Sequence, residues 1–253
     1  MLNNYKYSFT EGSGRLIFVP TLSSRSLGRK LHRDILRRWS PPDYFYHFKE
    51  GGHVAAARVH LTSGIFVRLD LHRFYDSITR SKVHRALRDI KFRQKDAWHI
   101  SCQSTVSKNK IGGPFSLPFG FVQSPVLSSL VLSSSALGKT LSILYVSGIK
   151  LSVYMDDIIM SGDNSSSLAA AMLALENAAR TAGFQFNISK SFGPAPALEA
   201  FNLDLSHRTL VVSASRMANF AAAMITGNSI TRNGILGYVG TVNIHQRAEL
   251  ASL

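Results

Sequence analysis

The stretch LSVYMDDIIMSG, residues 151–162, places two adjacent aspartates, Asp156 and Asp157, between two apolar runs. Adjacent carboxylates repel each other and lose hydration when they are partly buried, so a chain that keeps them here either exposes them in a turn or supplies a cation. Side chains alternate between the two faces of a straight strand, whereas a tight bend lets both aspartates point the same way. The stretch therefore predicts a hairpin of two core strands with both carboxylates at its bend.

A third carboxylate with a similar context is Asp70, near the end of the apolar run FVRLDL, residues 66–71. Three carboxylates at the ends of neighbouring strands would suit hard divalent cations, which take oxygen ligands. Two such ions favour in-line displacement at phosphorus, because one activates the attacking hydroxyl and the other stabilises the leaving pyrophosphate. The alternative for the Asp-Asp pair is a polar β-turn, in which aspartate is common for backbone reasons.

The net charge of +14 is distributed unevenly along the chain. Residues 1–110 hold 21 basic and 8 acidic side chains, whereas residues 111–253 hold 8 and 7. This asymmetry favours a surface for a polyanion, most often nucleic acid, over a merely solubilising surface or one for anionic lipid. Part of the excess falls on LSSRSLGRKLHRDILRRWSPP, residues 22–42, which is typical of a basic amphipathic helix ended by prolines.

The remaining pattern predicts an α+β fold with helices on one face of a sheet, as in ferredoxin-like units. The predicted order is a strand over residues 64–71, helices, the hairpin, a helix capped by Asn164 or Ser165 and ended by Gly183, a strand FQFNIS and a further strand pair. A single cysteine, Cys102, excludes an intrachain disulfide and fits a reducing cytosol. We also expect no signal peptide and no membrane span.

Several motifs, in one order, resemble those of reverse transcriptases. YMDD resembles the family's Y-x-D-D motif, and the preceding FVRLDLHRFYDSI resembles the motif that carries its first metal-binding aspartate. The other matching segments are GRLIFVP (14–20), LPFGFVQSP (117–125), GFQFNISKS (183–191) and FNLDL (201–205). The resemblance implies a polymerase right-hand fold, with basic fingers over residues 1–62, a ferredoxin-like palm over 63–212 that includes an inserted fingers segment at about 80–115, and a short helical thumb over 213–253.

The resemblance implies roles for individual residues. Asp70, Asp156 and Asp157 would be the catalytic carboxylates for two Mg²⁺ ions, with Mn²⁺ as an alternative and Asp157 less directly bound. Tyr75 would be a steric gate that excludes the 2′-hydroxyl. The residues implied at the nucleotide are Arg15, Tyr75, Gly120, Gln123 and Lys190; those expected at template or primer are Arg29, Lys30, Arg33, Ser124, Tyr154 and Met155. The structural alternatives are a core aromatic for Tyr75, a turn glycine for Gly120 and solvated side chains for Arg15 and Lys190.

One residue departs from the family pattern. Phe119 stands where the family often has glutamine, which puts the polar contact to the nucleotide in doubt. The absence of RNase H, integrase, maturase and endonuclease regions leads us to expect a minimal, stand-alone bacterial enzyme.

The sequence thus predicts an RNA-directed DNA polymerase, a cytoplasmic nucleotidyltransferase that uses an RNA template, a DNA or RNA primer and deoxynucleoside triphosphates. Its expected setting is a retron or antiphage defence, with a dedicated non-coding RNA or partner protein. The alternatives are a related polymerase with DNA-templated, protein-primed or template-independent synthesis, and a catalytically silent nucleic-acid-binding or assembly subunit. Three clustered acids argue against the silent subunit, since a binding module has no reason to bear their repulsion.

Overall fold

The computed structural model describes residues 4–12, 14–107 and 113–252. Residues 109–112 of the predicted Gly- and Pro-containing loop lie outside this part of the chain. The described residues belong to two compact units. Unit 1 comprises Met1–Asp43, Leu71–Ile143 and Leu175–Gln185, and unit 2 comprises Tyr44–Asp70, Leu144–Ala174 and Phe186–Leu253.

Strands and helices alternate irregularly along the chain, as expected for an α+β fold. The strands are β1 Tyr5–Thr10, β2 Leu16–Pro20, β3 Ile65–Asp70, β4 Val106–Ser107, β5 Phe115–Ser116, β6 Lys150–Tyr154, β7 Asp157–Gly162, β8 Phe192–Ala195, β9 Ala197–Ala200, β10 Leu203–Ser206 and β11 Thr209–Val212. The helices are α1 Leu22–Leu36, α2 Gly52–Arg58, α3 Phe74–Ser77, α4 Arg80–Asp89, α5 Gln94–Ser104, α6 Ser124–Ser134, α7 Ala136–Val146, α8 Ser165–Thr181, α9 Ala214–Thr226, α10 Ser229–Val242 and α11 Ile244–Ala251.

The predicted hairpin lies in the principal sheet of unit 2. Strands β6 and β7 pair antiparallel through the bend, and the four-stranded sheet has the order β6-β7-β3-β8. Strand β3 lies antiparallel to β7, with Asp70 opposite Asp157. The four strands follow one another along the chain as β3, β6, β7 and β8, and the first and third of them, β3 and β7, lie at the centre of the sheet. This is the strand order of a ferredoxin-like unit, as predicted. Because Ile158, Ile159 and Met160 are fully buried, β7 is anchored at the centre of the sheet.

The prediction of a strand over FQFNIS is wrong. Residues 187–191 turn instead, because the Asn187 side chain accepts from the backbone N–H of Ser189 and its carbonyl accepts from Lys190 and Ser191. The strand begins only at Phe192, as β8. The predicted strand pair is a three-stranded sheet, β11-β10-β9, whose β9–β10 turn places Phe201 and Asn202 at positive φ.

The basic amphipathic helix is confirmed as α1 in unit 1. Thr21 caps its N-terminus by accepting from the N–H of Ser24 at 3.2 Å, and Leu31 and Ile35 are buried on its apolar face. The helix ends at Leu36, one turn before the predicted prolines. Its opposite face carries the exposed cations Arg29, Lys30 and Arg33.

Two further predictions concern the ends of α8. Asn164, rather than Ser165, caps the helix, since its Oδ1 accepts from the N–H of Ser167 at 3.0 Å. Gly183 follows the last turn with φ +66°, the left-handed conformation predicted for the terminating glycine. No single helix in the described ranges is long and apolar enough to span a membrane; α6 and α7 meet the length and composition test only as a pair bent by 72°.

A buried histidine joins the two strands of the β6–β7 hairpin. His60 is fully buried, with Nδ1 2.7 Å from Ser161 Oγ on β7 and Nε2 2.8 Å from Ser152 Oγ on β6. Ser161 Oγ in turn donates to Ser63 Oγ at 2.9 Å. Burial, reinforced by the positive charge of Lys150, lowers the pKa of His60 to about 3, so its ring is neutral at physiological pH.

We expect this neutral ring to make stability fall in acid. Between the unfolded pKa near 6.5 and the folded pKa of about 3, the unfolded chain binds a proton that folded His60 excludes, so stability is lost as the pH falls through that window. One such group contributes a slope of at most about 1.4 kcal/mol per pH unit. Urea unfolding of His60→Asn at several pH values should show a flatter slope than wild type, whereas the exposed control His245→Asn should not. An unchanged slope in His60→Asn would contradict this assignment.

Candidate active site

The bend of the β6–β7 hairpin is a strained turn at one end of the four-stranded sheet in unit 2. Tyr154 ends β6 opposite Asp157, which begins β7, and Met155 and Asp156 form the turn between them. Met155 has φ +60°, a left-handed conformation that costs free energy for a residue with a side chain. His47 stabilises it by accepting from the Met155 N–H through Nδ1 at 3.3 Å. Burial lowers the pKa of His47 to about 4, which keeps that nitrogen available as an acceptor.

Asp70 lies at the end of β3, on the strand next to the bend. Its side chain is buried, and its backbone carbonyl accepts from the N–H of Asn187 at 2.8 Å, which holds the 187–191 turn against the strand end. That turn brings Lys190 Nζ to 3.6 Å from Asp70 Oδ2. Lys190 is 55% exposed, so it remains accessible to a ligand while lying beside the carboxylate.

Arg68 is a residue of this site that our sequence reasoning missed. Its Nε and one terminal nitrogen both donate to Asp157 Oδ1, at 2.9 and 2.8 Å, and its other terminal nitrogen donates to the Glu199 carbonyl at 3.1 Å. The available signal was strand periodicity: residues 68 and 70 lie on the same face of β3, next to the hairpin that carries Asp157.

The electrostatics of the cluster favour a cation. Burial raises the pKa of Asp157, and the negative charge of Asp70 raises it further, while Arg68 and Lys190 lower it. Asp70 and Asp157 are therefore each stabilised by a neighbouring positive charge, that of Lys190 and that of Arg68 respectively. The three aspartates outnumber the two neighbouring cations. Carboxylate oxygens that keep such an excess of negative charge are the ligands that hard divalent ions prefer.

The carboxylates do not by themselves form a closed metal cage. Over residues 4–12, 14–107 and 113–252, no group of three or more His, Cys, Asp or Glu side chains is arranged to hold a metal ion. Arg68 holds one oxygen of Asp157, Oδ1, so Asp157 can offer an ion only its other oxygen, and Asp70 and Asp156 are the main candidate ligands. The donor chemistry thus fits a divalent ion held by these two carboxylates together with oxygens from outside the protein.

Two residues expected at the nucleotide, Arg15 and Tyr75, both contact Phe119 in a small aromatic and cationic cluster in unit 1. The centres of the Phe119 and Tyr75 rings lie 4.7 Å apart. The Arg15 guanidinium carbon lies 5.6 Å from the centre of the Phe119 ring. Phe119 therefore braces Tyr75 and takes part in a cation–π contact with Arg15. Phe119, which stands where the family often has glutamine, thus has a packing role here in place of a polar one.

Gly120 is required by close backbone packing in unit 1. It has φ +98°, and a Cβ at this position would lie 2.3 Å from the carbonyl oxygen of Phe18. Phe119 accepts from the N–H of Phe18 at 2.9 Å, so the loop runs directly beside β2. Any larger residue would force this contact apart.

Gln123 and Ser124 are placed inside unit 1 rather than on its surface. Gln123 is fully buried against Gly28 and donates to Ser104 Oγ at 3.3 Å, and Ser124 donates to the Pro118 carbonyl at 2.7 Å. As placed, neither side chain has surface to offer a nucleotide or template. In these positions they stabilise the loop and the start of α6, and their roles at the nucleotide and the template stay predictions.

Tyr154 also borders a ring-lined cavity of about 550 Å³ in unit 2. His53 Nε2 lies 3.1 Å from the Tyr238 hydroxyl, and the Tyr154 and Phe201 rings meet edge to face at 5.5 Å. Helix α10 and the β9–β10 turn thus pack around the side chain of Tyr154, which was expected at the primer.

Three solved structures with similar folds belong to much longer proteins. Telomerase from Candida tropicalis, in complex with a fragment of telomeric RNA, is 14% identical over 94% of this chain and 53% of its own, with a TM-score of 0.60. Telomerase from Candida albicans in a similar complex is 11% identical over 93% and 52%, with a TM-score of 0.59. A foamy viral protease-reverse transcriptase with an RNA/DNA hybrid is 13% identical over 92% and 27%, with a TM-score of 0.50. This chain therefore spans about half or less of these neighbours.

The structural likeness confirms the predicted α+β class and fits the polymerase right-hand fold. No curated protein matches the sequence. The family model described as reverse transcriptase (RNA-dependent DNA polymerase) matches residues 6–195, which is more than half of the 253 residues and contains all three aspartates. On this match, the chain belongs to the reverse transcriptase family.

Proposed function

We propose that the chain is an RNA-directed DNA polymerase that uses two-metal nucleotidyl transfer. One observation carries the proposal: Asp70 and Asp157 face each other across β3 and β7, with Asp156 in the adjoining bend, inside the segment that matches the family. Asp70 and Asp156 would hold the ions, which we expect to be Mg²⁺ with Mn²⁺ as an alternative. Such ions, when bound, activate the primer 3′-hydroxyl and stabilise the charge on the leaving pyrophosphate.

The protein's own side chains would bind and orient the nucleotide. Lys190 is exposed beside Asp70 and offers an ammonium group to phosphate oxygens or to the departing pyrophosphate. Arg15 offers a planar fork of donors suited to phosphate. Tyr75, held by Phe119, would press its ring against the sugar and leave no room for a 2′-hydroxyl. Selection of deoxynucleotides follows from that exclusion.

A basic surface of unit 1 supports a nucleic-acid partner. Arg38, just after α1, donates to the Lys91 carbonyl at 3.2 Å and stacks on Phe92 at 4.5 Å, which ties α1 to the turn between α4 and α5. Helix α1 and the turn between α4 and α5, each of which carries exposed cations, are therefore neighbours within unit 1. Trp98 on α5 is 52% exposed and lies one helical turn from Lys95, and an exposed aromatic ring near a cation is suited to stacking an unpaired base.

The binding of template should depend steeply on salt. A triple variant of Arg29, Lys30 and Arg33, each replaced by glutamine, should reduce the slope of log affinity against log salt by about 2 to 3, because each phosphate contact releases about one counterion. Fluorescence anisotropy with a primed RNA template would measure that slope. The double variant Arg180→Gln and Arg208→Gln, on exposed residues outside α1, should leave it unchanged. An equal loss in both variants would show that α1 makes no specific contribution.

The proposed setting is bacterial and cytoplasmic, in a retron or in antiphage defence. Its proposed partners are a dedicated non-coding RNA or a partner protein. The solved neighbours are in complex with DNA or RNA, which supports a nucleic-acid template and primer for this chain. The likeness to telomerases leaves unusual templating as an alternative to this proposal, although this chain shares only its fold with them.

Primer extension with matched templates tests the proposal. The purified chain would be incubated with deoxynucleotides, divalent ion and a primer on RNA, the same primer on DNA, or no nucleic acid. We expect extension on RNA. Extension confined to the DNA template would favour the DNA-templated alternative, and nucleotides joined to the chain itself would favour protein priming. No synthesis in any arm would favour the silent binding subunit.

A further inference from the structure

His53, on helix α2, contacts three aromatic side chains from separate parts of unit 2. Its ring centre lies 5.9 Å from that of Tyr154 and 5.8 Å from those of Phe201 and Tyr238. The contact with Tyr154 is edge to face, with the two ring planes at 79°. His53 therefore connects Tyr154, at the end of β6, with Tyr238 on α10.

A hydrogen bond fixes the α10 end of this connection. His53 Nε2 lies 3.1 Å from the Tyr238 hydroxyl. Burial lowers the pKa of His53 and raises the pKa of Tyr238, so at neutral pH the imidazole is uncharged and the hydroxyl keeps its proton. An uncharged imidazole nitrogen can accept from that hydroxyl. Tyr238 also packs edge to face on Phe220 of α9, with the ring centres 5.8 Å apart, so a second contact holds its ring.

The Tyr154 ring depends on its neighbours for its orientation, because it borders the cavity of about 550 Å³. A ring with space beside it keeps rotamer freedom unless other side chains restrict it. Three rings do so, those of His47 and His53 at 5.9 Å and that of Phe201 at 5.5 Å. His53 also carries the bond to α10, so the position of this helix bears on the Tyr154 ring.

We propose that His53 is a positioning residue that holds the Tyr154 ring from α10, so that affinity for the primer depends on the position of that helix. This inference rests on the proposed polymerase function, in which Tyr154 meets the primer. His53 lies outside the motifs that resemble the family, and it acts through Tyr154 without touching the reacting atoms. The bend keeps its own support, the bond from the Met155 N–H to His47. Loss of the His53–Tyr238 bond should therefore weaken primer binding and leave the chemical step intact.

A double-mutant cycle on the two bonded residues tests the proposal. His53→Phe keeps an aromatic ring and removes the bond, and Tyr238→Phe removes only the hydroxyl. Each should raise KM for a primed RNA template about threefold to tenfold, the usual effect of one hydrogen bond, and leave kcat within about twofold of wild type. Because both changes break the same bond, the double variant should have about the same KM as either single variant. Single-nucleotide extension at varied primer-template concentration measures both constants.

The control variant is His245→Asn, on an exposed residue of α11, which should change neither constant. An unchanged KM in folded Tyr238→Phe, or effects that add in the double variant, would overturn the inference. Failure of wild type to extend any primer would instead reject the proposed polymerase function. The same cycle, measured as Kd for the primed template by fluorescence anisotropy, would then decide the inference by the same pattern.

Discussion

Replacing Asp156 by alanine should abolish DNA synthesis, with a loss of about a thousandfold or more in turnover. Asp156 lies in the bend between β6 and β7 and, with Arg68 engaging Asp157, is one of the two carboxylates assigned to the ions. Removing it takes away half of the proposed protein ligands without touching the buried strands. Single-nucleotide extension under saturating primer-template would measure the loss.

The same variant should still bind primed template, because the basic surface of unit 1 is unaltered. Glu249→Ala removes an exposed carboxylate from α11 in the same unit and should extend primers normally. Asp156→Asn, which keeps the shape of the side chain, should be as inactive as the alanine variant. Synthesis that persists in both Asp156 variants would show that the ions are held elsewhere.

Replacing Tyr75 by valine should raise ribonucleotide incorporation relative to deoxynucleotide incorporation by about a hundredfold, because discrimination against one added hydroxyl is worth roughly that factor. The Tyr75 ring is held by Phe119 at 4.7 Å, so a smaller side chain opens space that the neighbours do not fill. The ratio of kcat/KM for matched ribo- and deoxynucleotides measures the effect.

Because Tyr75 is buried, loss of packing must be separated from loss of selection. Phe74→Val removes another buried ring from α3 and should lower the Tm through the cavity it leaves, without changing the sugar preference. Tyr75→Phe keeps the ring and should discriminate like wild type. A sugar preference that is the same in Tyr75→Val as in wild type would return Tyr75 to an ordinary core position.

The strand pairing around the site could be predicted from the sequence because apolar runs on both sides of two acids leave few alternatives to a hairpin. The α1 helix was equally accessible, since its apolar residues recur every four positions. In contrast, FQFNIS has the composition of a strand, but the local bonds of Asn187 bend it into a turn. That competition between a side chain and the strand ladder depends on local geometry that composition does not reveal.

The site residues also divide into those that can be recognised from the sequence and those that cannot. The aspartates are recognisable because clustered carboxylates at strand ends have few structural uses. Arg68 was missed because its partner, Asp157, is 89 residues away and only the β3–β7 register brings them together. Gln123 was expected at the nucleotide from the resemblance alone, and its burial could not be foreseen because the glycine at position 28 lets helix α1 pack against it. Long-range pairing of this kind is set by tertiary packing.

Template-directed incorporation of single deoxynucleotides tests the central claim most directly. Four primed RNA templates that differ only in the first unpaired base would each be incubated with one deoxynucleoside triphosphate at a time, with Mg²⁺ present. We expect extension of each template by the complementary deoxynucleotide and no extension by Asp156→Ala. Incorporation that ignores the template base, or none on any RNA template, would contradict RNA-directed DNA synthesis by this chain.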